Sequence, residues 1–171
     1  DNQEFITFLT KRGFDVAADS YSNYPSTIHS LPSIMNMKYV NYLSEKYHDS
    51  NDVHELYYMM DSNLVTQYFK SIGYETINFD GGNFFADIEI FDQNLCERKF
   101  WHKELWTIIQ HHTVLGPLSI KKSTDDLREY RLCVFSELPT LQHKNDKPIF
   151  VFSHIMMPHS PYLFKAIGEP Q

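Results

Sequence analysis

The sequence is poor in cysteine, glycine, proline and clustered positive charge, and each shortage removes a class of protein. Two cysteines among 171 residues, Cys96 and Cys133, do not make a disulfide framework, and their separation is not that of metal ligands. The expectation is two buried thiols. Glycine and proline number only 6 and 8, which excludes collagen-like and low-complexity chains. No Lys/Arg run is longer than the pair Lys121-Lys122, and the formal net charge is -7. The basic patch that neutralises nucleic-acid phosphates is therefore missing, and nucleic acid is not an expected partner. No apolar run approaches the roughly 18 residues that cross a bilayer, and no signal peptide is seen. The sequence opens on Asp1-Asn2-Gln3 without a methionine and closes on Gly168-Glu169-Pro170-Gln171, so both ends are expected to be cuts within a longer protein.

What is present is apolar and aromatic. Hydrophobic residues make up 42% of the chain and aromatics 15%, which suits one globular unit with one sizeable core. Residues 2–11 carry Phe5, Ile6, Phe8 and Leu9 at helical spacing, with Gly13 as the stop. Residues 14–18 then read as a short strand. The pattern returns in residues 63–72, a helix stopped by Gly73, followed by a strand over residues 74–79. Residues 52–60 and 100–111 read as further amphipathic helices. Ser123-Thr124-Asp125-Asp126 reads as the cap of a helix reaching about Leu138, with Leu127, Tyr130, Val134 and Leu138 on its apolar side. Ile149, Phe150, Val151 and Phe152 form a continuous apolar run, expected of a central strand covered on both faces. Helices alternating with short apolar strands predict a single α/β domain over residues 1–171, with helix layers on a largely parallel sheet.

In such sheets ligands sit beyond the carboxyl ends of the strands, and two loops qualify by position. The first, residues 19–27, leads into a helical start at Ser26-Thr27. A helix start offers unpaired N–H groups and a positive dipole end, which suit phosphate or sulfate. A threonine there can attack an ester if a metal lowers the pKa of its hydroxyl. The plainer reading is that Ser26 or Thr27 caps the helix. The second loop, residues 155–162, follows the last strand. His159 is placed there to donate a hydrogen bond to an oxyanion or a leaving group, while His154 at the strand end equally suits a packed histidine. His102, His111 and His112 read as solvated or core-edge residues. Asp80-Gly81-Gly82-Asn83 reads as a tight turn, and Asp87, Glu89 and Asp92 as the polar side of an extended segment.

The string from Arg12 to Val16, followed by Ser20-Tyr21-Ser22-Asn23-Tyr24-Pro25-Ser26-Thr27-Ile28-His29-Ser30-Leu31-Pro32-Ser33-Ile34-Met35-Asn36-Met37, resembles the nucleophile region of sulfatase-like hydrolases and transferases of the alkaline phosphatase superfamily. The string from Pro148 to Phe164, containing Ser153-His154-Ile155-Met156-Met157-Pro158-His159-Ser160-Pro161-Tyr162, resembles the histidine loop of that family. The two appear in the family's order, while residues 47–141 match only loosely. The resemblance implies an alkaline-phosphatase-like α/β/α domain, here incomplete. It implies Thr27 as a metal-bound nucleophile that carries a phospho- or sulfo-enzyme intermediate. His159 would contact the transferred group, with Asn23, Ser26 and His154 beside the substrate. No Cys-x-Pro-Ser-Arg string occurs, so a formylglycine nucleophile is not implied.

The implied cofactor is a divalent metal, zinc, manganese or calcium, and the implied partner a phosphate- or sulfate-ester substrate. The family's metal-binding acid lies upstream of this first helix, and its Asp-His pair lies downstream of the histidine loop. No Asp-His-Gly triplet occurs here, so most ligands are expected outside the chain, and the isolated chain is expected to show no metal-dependent turnover. By likeness the parent protein is extracytoplasmic or tethered to a membrane. The alternative is a domain that keeps the fold without catalysis and binds an anion or a partner protein. A partial sheet with an open edge is expected to favour a homodimer.

Overall fold

The computed structural model describes residues 2–47, 52–79, 85, 88–96, 116–141, 147–157, 159 and 162–170. Six α-helices occur among them: α1 Gln3–Lys11, α2 Thr27–Met35, α3 Tyr42–Tyr47, α4 His54–Asp61, α5 Leu64–Ser71 and α6 Gly116–Glu137. Three strands, β1 Glu75–Phe79, β2 Gln93–Leu95 and β3 Ile149–Ser153, form one parallel sheet in the order β2-β1-β3. The chain is therefore α/β, as expected. The helix expected at residues 100–111, the turn at Asp80-Gly81-Gly82-Asn83 and Asp87 lie outside the described residues.

Alternation along the strands distributes side chains between two helix layers. Ile77 and Phe79 of β1 are buried with Val134 of α6, and Ile149, Val151 and Leu95 pack against them. Phe150 and Phe152 point the other way, into a cluster with Met35 and Leu31 of α2, Met60 of α4 and Val65 of α5. The apolar run of β3 thus serves both faces, as anticipated. Its predicted central place is corrected: among the described residues β1 is central and β3 pairs with β1 alone. A continuous apolar run reports covered faces, which an edge strand shares when both helix layers extend over it.

Three other expectations are corrected. Residues 14–18 join no strand ladder among the described residues, and Phe14 is 59% exposed. α1 beside them buries none of its residues, so this stretch finds no described surface to pair with. Ser123-Thr124-Asp125-Asp126 does not start a helix, because α6 already begins at Gly116. The overlooked start signal was Pro117, which suits a first turn that needs no N–H. Cys96 and Cys133 are not thiols but a disulfide, spanning 37 positions and tying the end of β2 to α6. Only the crossing of α6 over the sheet brings them together, so no local spacing foretold it.

Helix ends explain several joints. α1 and α5 both end on a glycine with positive φ, Gly13 and Gly73, with paired bonds back into the last turn. α2 ends in the same bonding pattern, Lys38 N–H to Ser33 O at 3.0 Å and Met37 N–H to Ile34 O at 3.1 Å, but the left-handed residue is Met37. α5 is capped by the fully buried Asn63, whose Oδ1 accepts from Thr66 N–H at 2.8 Å while its Nδ2 donates to Met60 O at 2.7 Å. Asn36 donates to Pro32 O and Met59 O, each at 2.9 Å, and so locks the end of α2 onto α4. No helix among the described residues is long and apolar enough to cross a membrane.

Candidate functional site

α2 starts at Thr27, with Ser26 in the extended conformation of an N-cap residue. The backbone carbonyl of Ser26 accepts from His29 N–H at 3.1 Å and Ser30 N–H at 2.9 Å, which fixes the first turn. The Ser26 side chain makes no capping bond, so the plain capping role is not filled by its hydroxyl. Thr27 is half-buried, and its Oγ1 makes no hydrogen bond among the described residues. The N–H groups of the first helical turn point out of the helix start, as they do in any α-helix, and favour an anion there.

Three nearby hydroxyls, those of Ser22, Ser30 and Ser33, are engaged in hydrogen bonds. Asn23 Nδ2 donates to Ser33 Oγ at 2.7 Å, Ser30 Oγ donates to Asn23 Oδ1, and Ser22 and Ser30 lie Oγ to Oγ at 3.0 Å. Ser30 and Ser33 are buried. Tyr24 donates to Asn41 Oδ1 and accepts from Val40 N–H at 2.7 Å, which fastens the other side of the loop. Asn23 thus uses both ends of its amide to hold the loop of residues 20–26 against α2. Sequence reasoning placed Asn23 beside a substrate; here it positions the segment that presents Thr27. The signal for this was the spacing of Asn23 from Ser30 and Ser33, one helix face opposite the loop.

His154 directly follows β3 and is half-buried; burial holds its imidazole below the ordinary histidine value and so neutral. His159 is exposed and lines a cavity of about 380 Å³ with Arg131, Met157, Tyr162, Leu163, Phe164, Lys165 and Ala166. Because the three strands are parallel, this loop lies beyond a carboxyl end of the sheet, where ligands are expected. Thr27 and His154 are not among the described residues lining that cavity. The elements that carry the two loops singled out from sequence are linked through packing: Ile28 and Leu31 of α2 pack on the cluster that takes in Phe150 and Phe152 of β3.

No family model, curated protein or solved structure matches the chain.

The likeness to sulfatase-like enzymes therefore rests on the two strings alone. Among the described residues no three His, Cys, Asp or Glu side chains gather in a way that could hold a metal ion. Those residues do not by themselves fit a zinc, manganese or calcium centre, for which carboxylate, imidazole or thiolate donors are the usual ligands. Asp92 is committed to structure. Its carboxylate accepts from Thr76 N–H at 2.9 Å and Thr76 Oγ1 at 2.8 Å, and pairs with Lys70 at 2.9 Å. Burial pushes its pKa up, but these bonds outweigh burial and leave it below the ordinary carboxylate value. Arg131 is the residue that sequence reading missed. It lies in α6, 8% exposed, and shows in the sequence only as one more charge on an amphipathic helix.

Proposed function

We propose that the chain is catalytic-domain sequence of a hydrolase or transferase that acts on phosphate or sulfate esters, built on an alkaline-phosphatase-like plan, with Thr27 as nucleophile. The observation that carries this reading is the state of the Thr27 hydroxyl. It stands in the first turn of α2 without a hydrogen-bond partner among the described residues, while Ser22, Ser30 and Ser33 around it are engaged. In the proposed step a bond forms from Thr27 Oγ1 to phosphorus or sulfur, and the bond to the ester oxygen breaks. The threonine proton leaves to solvent, and the departing alcohol takes one up from solvent or from His159, the donor that the resemblance implies. The α2 N–H groups support the negative charge of the group being transferred.

The Cys96–Cys133 disulfide supports an extracytoplasmic setting for the parent, since disulfides persist in oxidising compartments. A second reading is a domain that binds an anion or a partner without catalysis. The observation favouring it is that the described residues gather no metal-binding set.

Binding is tested by titrating inorganic phosphate and sulfate while following backbone amide resonances by NMR. The amides of Thr27 and Ile28 are expected to shift saturably. Thr27→Ala should weaken that binding several-fold, about the worth of one hydrogen bond. Amides at the start of α2 that do not respond to either anion would remove both readings of this loop. A response that is identical in Thr27→Ala would leave anion binding and remove the role of the hydroxyl.

A further inference from the structure

Arg131 is 8% exposed, yet it has no hydrogen bond or ion pair among the described residues, and its Nε is enclosed without a partner. Arg128, on the same helix, shows what a committed arginine looks like. It pairs with Asp125 at 2.5 Å, donates from Nε to Leu163 O at 3.1 Å and lies over the ring of Phe164. A buried guanidinium without a counter-charge is costly and stays charged, because arginine does not deprotonate in proteins. Burial lowers its pKa from the ordinary value, in keeping with that cost.

The cavity of about 380 Å³ that Arg131 lines has the size of a small-molecule site. Its lining is divided by chemistry. Arg131, His159 and Lys165 supply hydrogen-bond donors, and Met157, Leu163 and Phe164 supply an apolar wall. Lys165 is exposed and faces Glu169 at 3.6 Å, so that carboxylate neutralises Lys165 rather than Arg131. The wall is fixed by backbone. Lys165 N–H donates to Glu169 O at 2.7 Å, and Phe164 pairs with Pro170 in an antiparallel bridge.

We propose that this cavity binds a small organic anion, its carboxylate, phosphate or sulfate group held by the Arg131 guanidinium and its apolar or aromatic body lying on Met157, Leu163 and Phe164. The planar fork of arginine suits a two-oxygen group, which it can hold through two parallel bonds. The proposal does not depend on Thr27 as a nucleophile.

Benzoate is the probe, with benzyl alcohol as its neutral counterpart, titrated by calorimetry into the chain and into Arg131→Lys, Arg131→Met and Thr27→Ala. Benzoate should bind saturably and benzyl alcohol far more weakly. Arg131→Lys keeps the charge but loses the fork, and should weaken benzoate several-fold. Arg131→Met should weaken it about tenfold or more, the usual size for a lost charge-assisted bond. Thr27→Ala should bind benzoate like the native chain, whatever the fate of the nucleophile reading. Without ligand, Arg131→Met should melt no lower than the native chain, because an unpaired buried charge has been replaced by an apolar side chain. No benzoate binding, equal binding of benzyl alcohol, or native-like affinity in both Arg131 variants would each overturn the proposal.

Discussion

Around the start of α2, Asn23, Ser22, Ser30 and Ser33 bond to one another, and the Thr27 hydroxyl is left outside that set. A hydroxyl already held by a buried amide must break that bond before it reacts, whereas one without a partner needs no such loss. That difference separates Thr27 from Ser22, Ser30 and Ser33; Ser26 also makes no side-chain capping bond, but it stands outside the helix as its N-cap residue. His154 contributes at the same scale through its charge. Burial lowers its pKa, so the folded chain takes up the proton less readily than the unfolded chain. The sign follows: this contribution to stability is present above the ordinary histidine value of 6.5 and is lost as pH falls below it. Urea melts of the native chain should therefore weaken as pH drops from about 7 to about 5, and His154→Gln should flatten that slope. An equal slope in the variant would show that other groups set it. Asp92 acts in the same direction at lower pH, as its own carboxylate takes up a proton.

Among the elements, the three helix ends that share one bonding pattern differ in a single respect. Gly13 and Gly73 take positive φ without a side-chain clash, while Met37 takes it at 49° with a full side chain. Met37 is 76% exposed, so its side chain contributes little packing in exchange. Met37→Gly should stabilise the chain by about 0.5–1 kcal/mol, read as a higher urea midpoint at unchanged slope. A lower midpoint would mean that the unfolded-state entropy of glycine outweighs the relief. The glycines made the ends of α1 and α5 legible in the sequence; the end of α2 was not, because methionine carries no stop signal. α5 and β1 were legible for the same local reasons, a helical period, a glycine and then alternation. Residues 14–18 show the limit of that reasoning. A two-residue period describes a segment able to pair, and pairing needs a neighbour that local pattern does not supply. The edge place of β3 is a fact of strand order, equally invisible in an apolar run.

At the scale of the chain, two helix layers meet, among the described residues, on a sheet of three short strands, and a covalent link crosses from the sheet to α6. Cys96 packs with Val134, Ile77 and Phe79 and is bonded to Cys133 of α6, so the disulfide fastens the layer that carries Arg131 to the end of β2. Replacing both cysteines by alanine should cost about 2–4 kcal/mol, measured as the loss in unfolding free energy relative to the oxidised chain. No loss would show that α6 is held by packing alone. The candidate site was legible only in part. Thr27 and the loop of His159 stand out as strings, but Arg131 needs the fold, since only the path of α6 past Met157 and residues 162–166 turns a surface-type residue into a buried one beside a cavity.

The proposed role of Thr27 Oγ1 as acceptor of the transferred group is tested by mass spectrometry of the protein after incubation with aryl phosphate and aryl sulfate esters, with zinc, manganese or calcium supplied. A covalent adduct is the suitable readout because it requires one transfer and no turnover. The account predicts a phosphoryl or sulfuryl group on the peptide containing Thr27, retained in Thr27→Ser and absent in Thr27→Ala. An adduct on another residue, or none on Thr27 with any of the three metals, would contradict it.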